Sequence, residues 1–292
     1  MGQGIKKAYE NAKKIQIDEN SKLVLFSDLH RGSGGGGDAF AKNKDLFFAA
    51  LQYYLKEGYT YIELGDGDEL WKENNMGDII GEYEHIFQLL ERFYRGRRFV
   101  MLAGNHDSIK GNRQWVFSHL QSYQPRHGEK SLALFPRIVI VDAVRLLYKN
   151  SGRELLLLHG HQGDFRSSHF MRLTKLCVRY LWQPFEFLGL QNPFDAKPSY
   201  RRQSKVERNL TEYARGKSLP IIAGHTHRPK FPQKGEVPYF NTGSGVHTRY
   251  ITGIELTKGE MVQIRWVQGV SQWGNLYVKR EELSQKRKIE EL

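Results

Sequence analysis

Five short stretches of this sequence offer side chains that could hold metal ions: Asp28-Leu29-His30, Gly65-Asp66, Gly104-Asn105-His106-Asp107, His159-Gly160-His161 and Gly224-His225-Thr226-His227. Carboxylate oxygens with imidazole nitrogens suit Mn²⁺, Fe or Zn²⁺, and the absence of thiolates speaks against a structural zinc site. Asp28, His30, Asp66, Asn105, His159, His225 and His227 make seven donors. That exceeds the need of one ion, and two ions sharing a carboxylate would use them all. Gly-Asp-Gly-Asp or Gly-Asn alone is ordinary turn chemistry. The weight lies in repetition, because each stretch follows its own apolar run.

Those runs are the elements that must position the donors. Leu23 to Phe26, Tyr59 to Leu64, Phe99 to Leu102, Glu154 to Leu158 and Pro220 to Ala223 read as buried strands. Helical spacing of apolar residues over Asp38 to Tyr54 and Asp78 to Tyr94 separates the first three. Strand, helix, strand repetition indicates an α/β fold with parallel strands joined by crossovers. In such sheets ligands gather at the carboxyl ends of the strands. Further strands are expected at Arg137 to Val141, Ala143 to Tyr148, Tyr239 to Ser244, Tyr250 to Leu256 and Met261 to Val267. The tail from Val278 to Leu292 reads as a charged helix.

The five motifs, in this order, resemble those of the calcineurin-like metallophosphoesterases from about residue 22 to 245. The resemblance implies a four-layer α/β/β/α sandwich with two mixed sheets, a single domain over 1–292, and a dinuclear centre. Manganese is the first expectation for the two divalent ions, with iron or zinc as alternatives. By position, Asp28, His30, Asp66 and His227 would hold one ion. Asp66, Asn105, His159 and His225 would hold the other, with Asp66 bridging. The implied activity is hydrolysis of a phosphodiester, phosphomonoester or pyrophosphate by metal-activated hydroxide. His106 would contact the phosphate and protonate the leaving oxygen, and Asp107 would orient His106. Arg31 and the Gly34 to Gly37 run flank the first motif, so Arg31 is a candidate for binding substrate, as is His161 beside His159. Asp68 and Glu69 fit either a supporting role behind the ligands or a solvated turn.

The formal net charge is +12, which favours polyanionic partners. The excess is concentrated, with eleven Lys and Arg against four Asp and Glu over residues 166–217. An inserted basic and aromatic helical cap is therefore expected at about 165–217, with a helix over Arg166 to Leu181 that places Arg172, Lys175 and Arg179 in one stripe. Arg172 and Arg179 are candidates for substrate contact. A cap in this position is similar to that of the UDP-2,3-diacylglucosamine hydrolases, which cleave a pyrophosphate in lipid A synthesis. Those enzymes carry Arg after the motif Asn where this chain has His106, so a generic phosphoesterase is the first reading and the lipid nucleotide the alternative. A nuclease, like the metallophosphoesterase subunit of double-strand-break repair complexes, is the second alternative. The same patch could touch an anionic membrane or nucleic acid, or only the sandwich. Some members of this fold have lost their ligands and act as scaffolds, but all seven ligand positions are filled here. The single cysteine, Cys177, excludes an intrachain disulfide, and the start lacks a signal-peptide pattern. The expected location is the cytoplasm, with contact at a membrane periphery.

Overall fold

The computed structural model describes residues 2–126, 128, 130–164 and 200–292, with side chains in the last piece from residue 205 onward. The expected helix over Arg166 to Leu181, with Arg172 and Arg179, lies outside the described residues.

Alternation along the buried strands dictates the layering, because successive side chains point to opposite faces of a sheet. In β2 (Leu23–Phe26), Leu23 and Leu25 join one apolar cluster while Val24 and Phe26 join another. β3 (Thr60–Leu64) divides likewise, with Ile62 and Leu64 on one side and Tyr61 on the other. β8 (Glu154–Leu158) sends Leu155 and Leu157 to the same inner cluster, and Leu156 and Leu158 to a third. Strands that are apolar on both faces must be covered on both faces.

Two mixed sheets meet that demand. The larger has β13 (Leu276–Glu282), β12 (Glu260–Val270), β11 (Tyr250–Thr257), β2, β3 and β4 (Phe99–Leu102) side by side, with β14 (Arg287–Lys288) also on β12. The smaller runs β1 (Lys13–Ile17), β7 (Ala143–Tyr148), β8, β9 (Ile221–Ala223) and β10 (Tyr239–Asn241). Leu25, Ile62 and Leu102 from one sheet share a core with Leu146, Leu157 and Ile222 from the other. A separate two-stranded pair joins β5 (Ser122–Tyr123) to β6 (Leu132–Ala133).

Helices cover the outer faces. α2 (Lys44–Lys56), α3 (Met76–Glu82) and α4 (Glu84–Arg95) pack Phe47, Leu51, Ile79, Phe87 and Leu90 with Phe26 and Tyr61 of the larger sheet. α5 (Arg113–Leu120) adds Val116 and Leu120 to that cluster. α1 (Gln3–Glu10) and α6 (Tyr200–Lys217) cover the smaller sheet with Ile5, Ala8, Val206, Leu210 and Ala214. The result is the four-layer α/β/β/α sandwich with two mixed sheets. Among the described residues, no helix is long and apolar enough to cross a membrane.

Several elements differ from their sequence expectation. The stretch expected as one helix over Asp78 to Tyr94 is two, broken at Tyr83, whose φ of −109° and ψ of 32° leave the helical region. α2 starts at Lys44 rather than Asp38, because the Asp38 carboxylate accepts from the N–H groups of Gly34 and Phe40 and from the Tyr83 hydroxyl. Arg137 to Val141 forms no strand of its own; Val141 makes a single bridge to Leu102 and occupies the free edge of β4. Within the expected cap over 165–217, Val206, Leu210 and Ala214 of α6 pack in the core under the smaller sheet. The tail is not a helix over 278–292. Its backbone instead satisfies the long edge of β12 through β13 and β14, Arg280 pairs with Glu255 and Arg265 with Glu281, and Ile289 anchors the end in the inner core.

Candidate metal centre

The donors come from both sheets. Asp28 and His30 follow β2, Asp66 follows β3 and Asn105 follows β4, three parallel neighbours in the larger sheet. His159 follows β8, and His225 and His227 follow β9, parallel neighbours in the smaller one. The sheets are joined directly at this end, where the Asp28 carboxylate accepts from the His225 N–H at 2.8 Å and from the Ser27 hydroxyl.

The backbone is strained where the donors sit. Asp28, His30, Asp66, His225 and His227 have φ values of 53°, 50°, 51°, 68° and 56°. These are five of the ten described non-glycine residues in the left-handed region, so the strain concentrates at the site. The left-handed turn re-aims each side chain just as its strand ends. Gly104 and Gly224 permit the close approach: a Cβ would meet Asp66 Oδ1 at 2.1 Å and Asp28 Oδ2 at 2.5 Å respectively.

Distances among the donors are short. His227 Nε2 lies 3.2 Å from Asp28 Oδ1 and 3.3 Å from His30 Nε2. His159 Nε2 lies 3.1 Å from Asp66 Oδ2 and 3.2 Å from Asn105 Oδ1. Asp66 Oδ2 also faces His30 Nε2 at 3.9 Å, so this carboxylate stands between the two groups. Asp28, His30 and His227 form one cluster of donor atoms within 4.8 Å of one another, and Asp66, His159 and His225 form another.

The chemistry of these donors fits a pair of cations. Asp28 Oδ1 is buried without a well-formed hydrogen bond and faces imidazole nitrogens of His227 at 3.2 Å and of His30 and His159 at 4.0 Å, a place that a cation among them would fill. The His159 ring donates Nδ1–H to the Leu64 carbonyl at 2.8 Å, which turns Nε2 toward Asp66. Burial alone would lower His159 and His30, yet Asp66 and Asp28 beside His159, and Glu69 beside His30, raise each to about 9. Burial works against Asp28 as well, but the imidazoles of His227 and His159 hold it down at about 2. The carboxylates thus demand positive charge, which the imidazoles supply as protons. His225 is the exception: burial and the neighbouring His159 push it well below the ordinary imidazole range, leaving it a neutral donor.

His106 lies beside this arrangement. Its Nδ1 hydrogen-bonds Glu69 Oε1 at 2.8 Å, and Glu69 Oε2 hydrogen-bonds His30 Nδ1 at 3.0 Å. Trp71 stacks on the His106 ring at 4.1 Å and donates Nε1–H to the Asn105 carbonyl at 2.7 Å. His30, Glu69 and His106 form a third close cluster, but both Nδ1 atoms are spent on the carboxylate, which makes Glu69 an orienting bridge.

Two expectations are corrected here. Asp107 does not orient His106. Its carboxylate accepts from the N–H groups of Gly104 at 2.7 Å, Asp66 at 3.3 Å and Gly67 at 3.2 Å, and pairs with Lys110 at 2.7 Å. It fixes the turns that carry Asp66 and Asn105, and Glu69 does the orienting. Nor can Arg31 face a substrate. Its guanidinium is fully buried, donating Nε–H to Asp68 at 2.7 Å and both Nη groups to Glu63 at 2.9 Å. Asp68 in turn binds Lys110 at 2.5 Å, and Tyr61 donates to Glu63 at 2.9 Å. His161 is half-buried with its ring 5.5 Å from His159; burial and then His159 lower it to about 3, so it is neutral, and its buried Nδ1 has no hydrogen bond. Behind the donors, Asn241 Nδ2 bonds the Gly224 carbonyl at 2.7 Å and Ser244 Oγ bonds the Asp28 carbonyl at 3.1 Å.

The model of the calcineurin-like phosphoesterases matches residues 21–229. The chain belongs to this family. The chain matches no curated protein. It is similar to solved structures of Vacuolar Protein Sorting 29 from Cryptosporidium parvum, at 14% identity over 92% of this chain and 100% of that one, with a TM-score of 0.41. Vps29 of Chaetomium thermophilum is similar at 9% identity, over 90% and 96% of the two chains, with a TM-score of 0.39. Glu69, three residues after Asp66, takes the supporting role that the sequence left open against a solvated turn.

Proposed function

We propose that this chain is a dinuclear metal-dependent phosphoesterase. One divalent ion would be held by Asp28, His30, Asp66 and His227, and the other by Asp66, Asn105, His159 and His225. The observation that carries this reading is the convergence of seven oxygen and nitrogen donors from two sheets, with Asp28 Oδ1 buried and lacking a well-formed hydrogen bond. When bound, such ions activate water and neutralise charge on a phosphate ester.

The chain's own residues supply the rest. Glu69 holds the His106 proton at Nδ1, which leaves Nε2 to exchange a proton with the leaving oxygen. Trp71, stacked flat on the ring, restricts its rotation. Asp107 keeps Asp66 and Gly104 in place through three backbone N–H groups, so that positioning does not depend on substrate. Asn105, only 8% exposed, presents its side-chain oxygen toward His159 while its backbone is held by Trp71.

The test is a purified preparation with its bound metal quantified and its turnover measured with Mn²⁺. The substrates are an activated phosphodiester, a phosphomonoester, UDP-diacylglucosamine and single-stranded DNA. Bound metal with diester turnover, kept in metal content but lost in turnover by His106→Ala, is expected. A metal-free protein inert on all four substrates would return the chain to a scaffold.

A further inference from the structure

Six of the eleven large exposed apolar side chains among the described residues fall between positions 270 and 283. They are not scattered, because most sit at the end of the β12–β13 ribbon. β11 begins at Tyr250, opposite Val267. The pairs Gln268–Val278, Gly269–Tyr277 and Val270–Leu276 therefore continue without a third strand. At the tip Trp273 is 80% exposed, Leu276 69% and Val270 62%.

The tip is ordered by its own bonds. Ser271 N–H donates to the Asn275 carbonyl at 2.8 Å, Gly274 N–H donates to the Ser271 carbonyl at 2.9 Å, and Ser271 Oγ accepts from Trp273 and Asn275 N–H groups. Gly274 takes a φ of 79° that a side chain would resist. Tyr277 lies across Gly269, where a Cβ would meet the ring at 2.5 Å. These bonds present Trp273 outward without relying on the sandwich.

Register fixes where the tip stands. Leu25, Ile254 and Gln263 lie side by side across β2, β11 and β12. β11 is antiparallel to both neighbours, so β2 and β12 run the same way. β2 ends one residue past that level, at Phe26, and β12 continues to Val270. The extra length is roughly 20 Å at ~3.3 Å per residue. The ribbon therefore rises at the same end of the molecule as the donors from Asp28 and His30.

Its chemistry selects the partner. From Val267 to Val278 the ribbon has no acidic residue, in a chain of net charge +12, while Lys279 and Arg280 below it are paired with Glu281 and Glu255. Arg249, exposed, accepts at its carbonyl from the Gln268 N–H. Trp and Tyr favour the boundary between headgroups and acyl chains, and basic residues beside them are drawn to anionic lipid. Four side chains on a turn fall short of the roughly 800 Å² that each partner gives to a stable protein complex. Lower on the same edge, Lys279, Arg280, Glu281 and Glu282 oppose strand pairing with a second copy.

We propose that Val270, Trp273, Leu276 and Tyr277 insert into the headgroup region of an anionic bilayer, turning the donor-bearing end of the molecule toward it. Full-length protein is sedimented with vesicles containing phosphatidylglycerol and with vesicles of phosphatidylcholine alone. Wild type is expected in the pellet with the anionic vesicles only. Trp273→Ser with Leu276→Ser, with its melting curve unchanged, is expected to cut the bound fraction about tenfold. Conservative Trp273→Phe should keep most of it. Equal pelleting of the double variant, or no pelleting of wild type, overturns the proposal. So does a wild-type dimer in analytical ultracentrifugation that the double variant dissolves, which assigns the tip to a second copy. No step of the test needs bound metal or turnover.

Discussion

Two clusters of buried polar side chains lie back to back at the strand ends, and they differ in how their charges are met. In the first, Arg31, Glu63, Asp68, Asp107 and Lys110 are all at most 1% exposed, and every charge faces an opposite charge or a backbone N–H. Burial raises the Asp68 carboxyl, but Arg31 and Lys110 outweigh it and leave it below its ordinary value. In the second, the metal donors, Asp28 Oδ1 has no well-formed hydrogen bond, and imidazoles crowd nitrogen to nitrogen. A closed network is a foundation, whereas convergent donors with unmet demand form a binding site. Position in a loop does not distinguish them, since Arg31 is adjacent to His30 and Asp68 lies two residues from Asp66.

The sharpest way to break the contrast is to neutralise one member of each cluster. Asp66→Asn should empty the site of metal and abolish diester turnover, with any loss in the urea unfolding midpoint of the metal-free protein confined to pH below about 9, where Asp66 faces a protonated His159. Lys110→Ala should instead damage the fold, leaving Asp68 with Arg31 alone and Asp107 with backbone N–H groups alone, at a cost of up to about 3–5 kcal/mol in urea unfolding. Glu69 touches only the donor side, so Glu69→Gln should leave the midpoint of the metal-loaded protein in place and lower turnover by about 10–100-fold, as substitutions behind metal ligands do.

Removing the metal exposes a pH dependence that belongs to the donor cluster alone. His30 and His159 are raised to about 9, above the ~6.5 of an unfolded chain. A raised folded value contributes stability that is full below the unfolded one and is lost as pH rises through the folded one. Chelator-treated protein should therefore melt at a lower temperature at pH 9 than at pH 6.5. Restoring the ions should remove that slope, because ligand imidazoles are already deprotonated. The smallest expected effect is His227→Gly. Relief of the left-handed backbone there, about 1 kcal/mol, offsets part of the loss of the imidazole beside Asp28, so the metal-free variant should melt only slightly below wild type, and the variant should take up less metal.

Much of this was legible before any coordinates. Apolar runs ending in Gly and polar residues located β2, β3, β4, β8 and β9, and the donors followed from their ends. What escaped has a physical pattern. Arg31 reads as facing substrate, and Asp68 and Glu69 as either support behind the ligands or a solvated turn, since a buried charge shows in sequence only when its partners are known to be close. Glu63 and Lys110, which complete the network with Arg31, lie 32 and 79 positions away from it in the chain. β13 was mistaken for a helix because an edge strand carries charge on both faces and so loses its alternation. Val141 was overestimated because its apolar neighbours cover the β4 edge without forming a ladder.

The partnership of Asp28 with His225 and His227 also has a consequence in time. The chain leaves the ribosome amino end first, and 199 residues separate Asp28 from His227. At ~5–20 residues per second, Asp28 waits roughly 10–40 s for its last neighbour to be made. Until then Asp28 and Asp66 have His30 and later His159, but neither His225 nor His227, so no shorter nascent fragment carries the full donor set. Loading of the proposed ions would thus report that synthesis has passed His227.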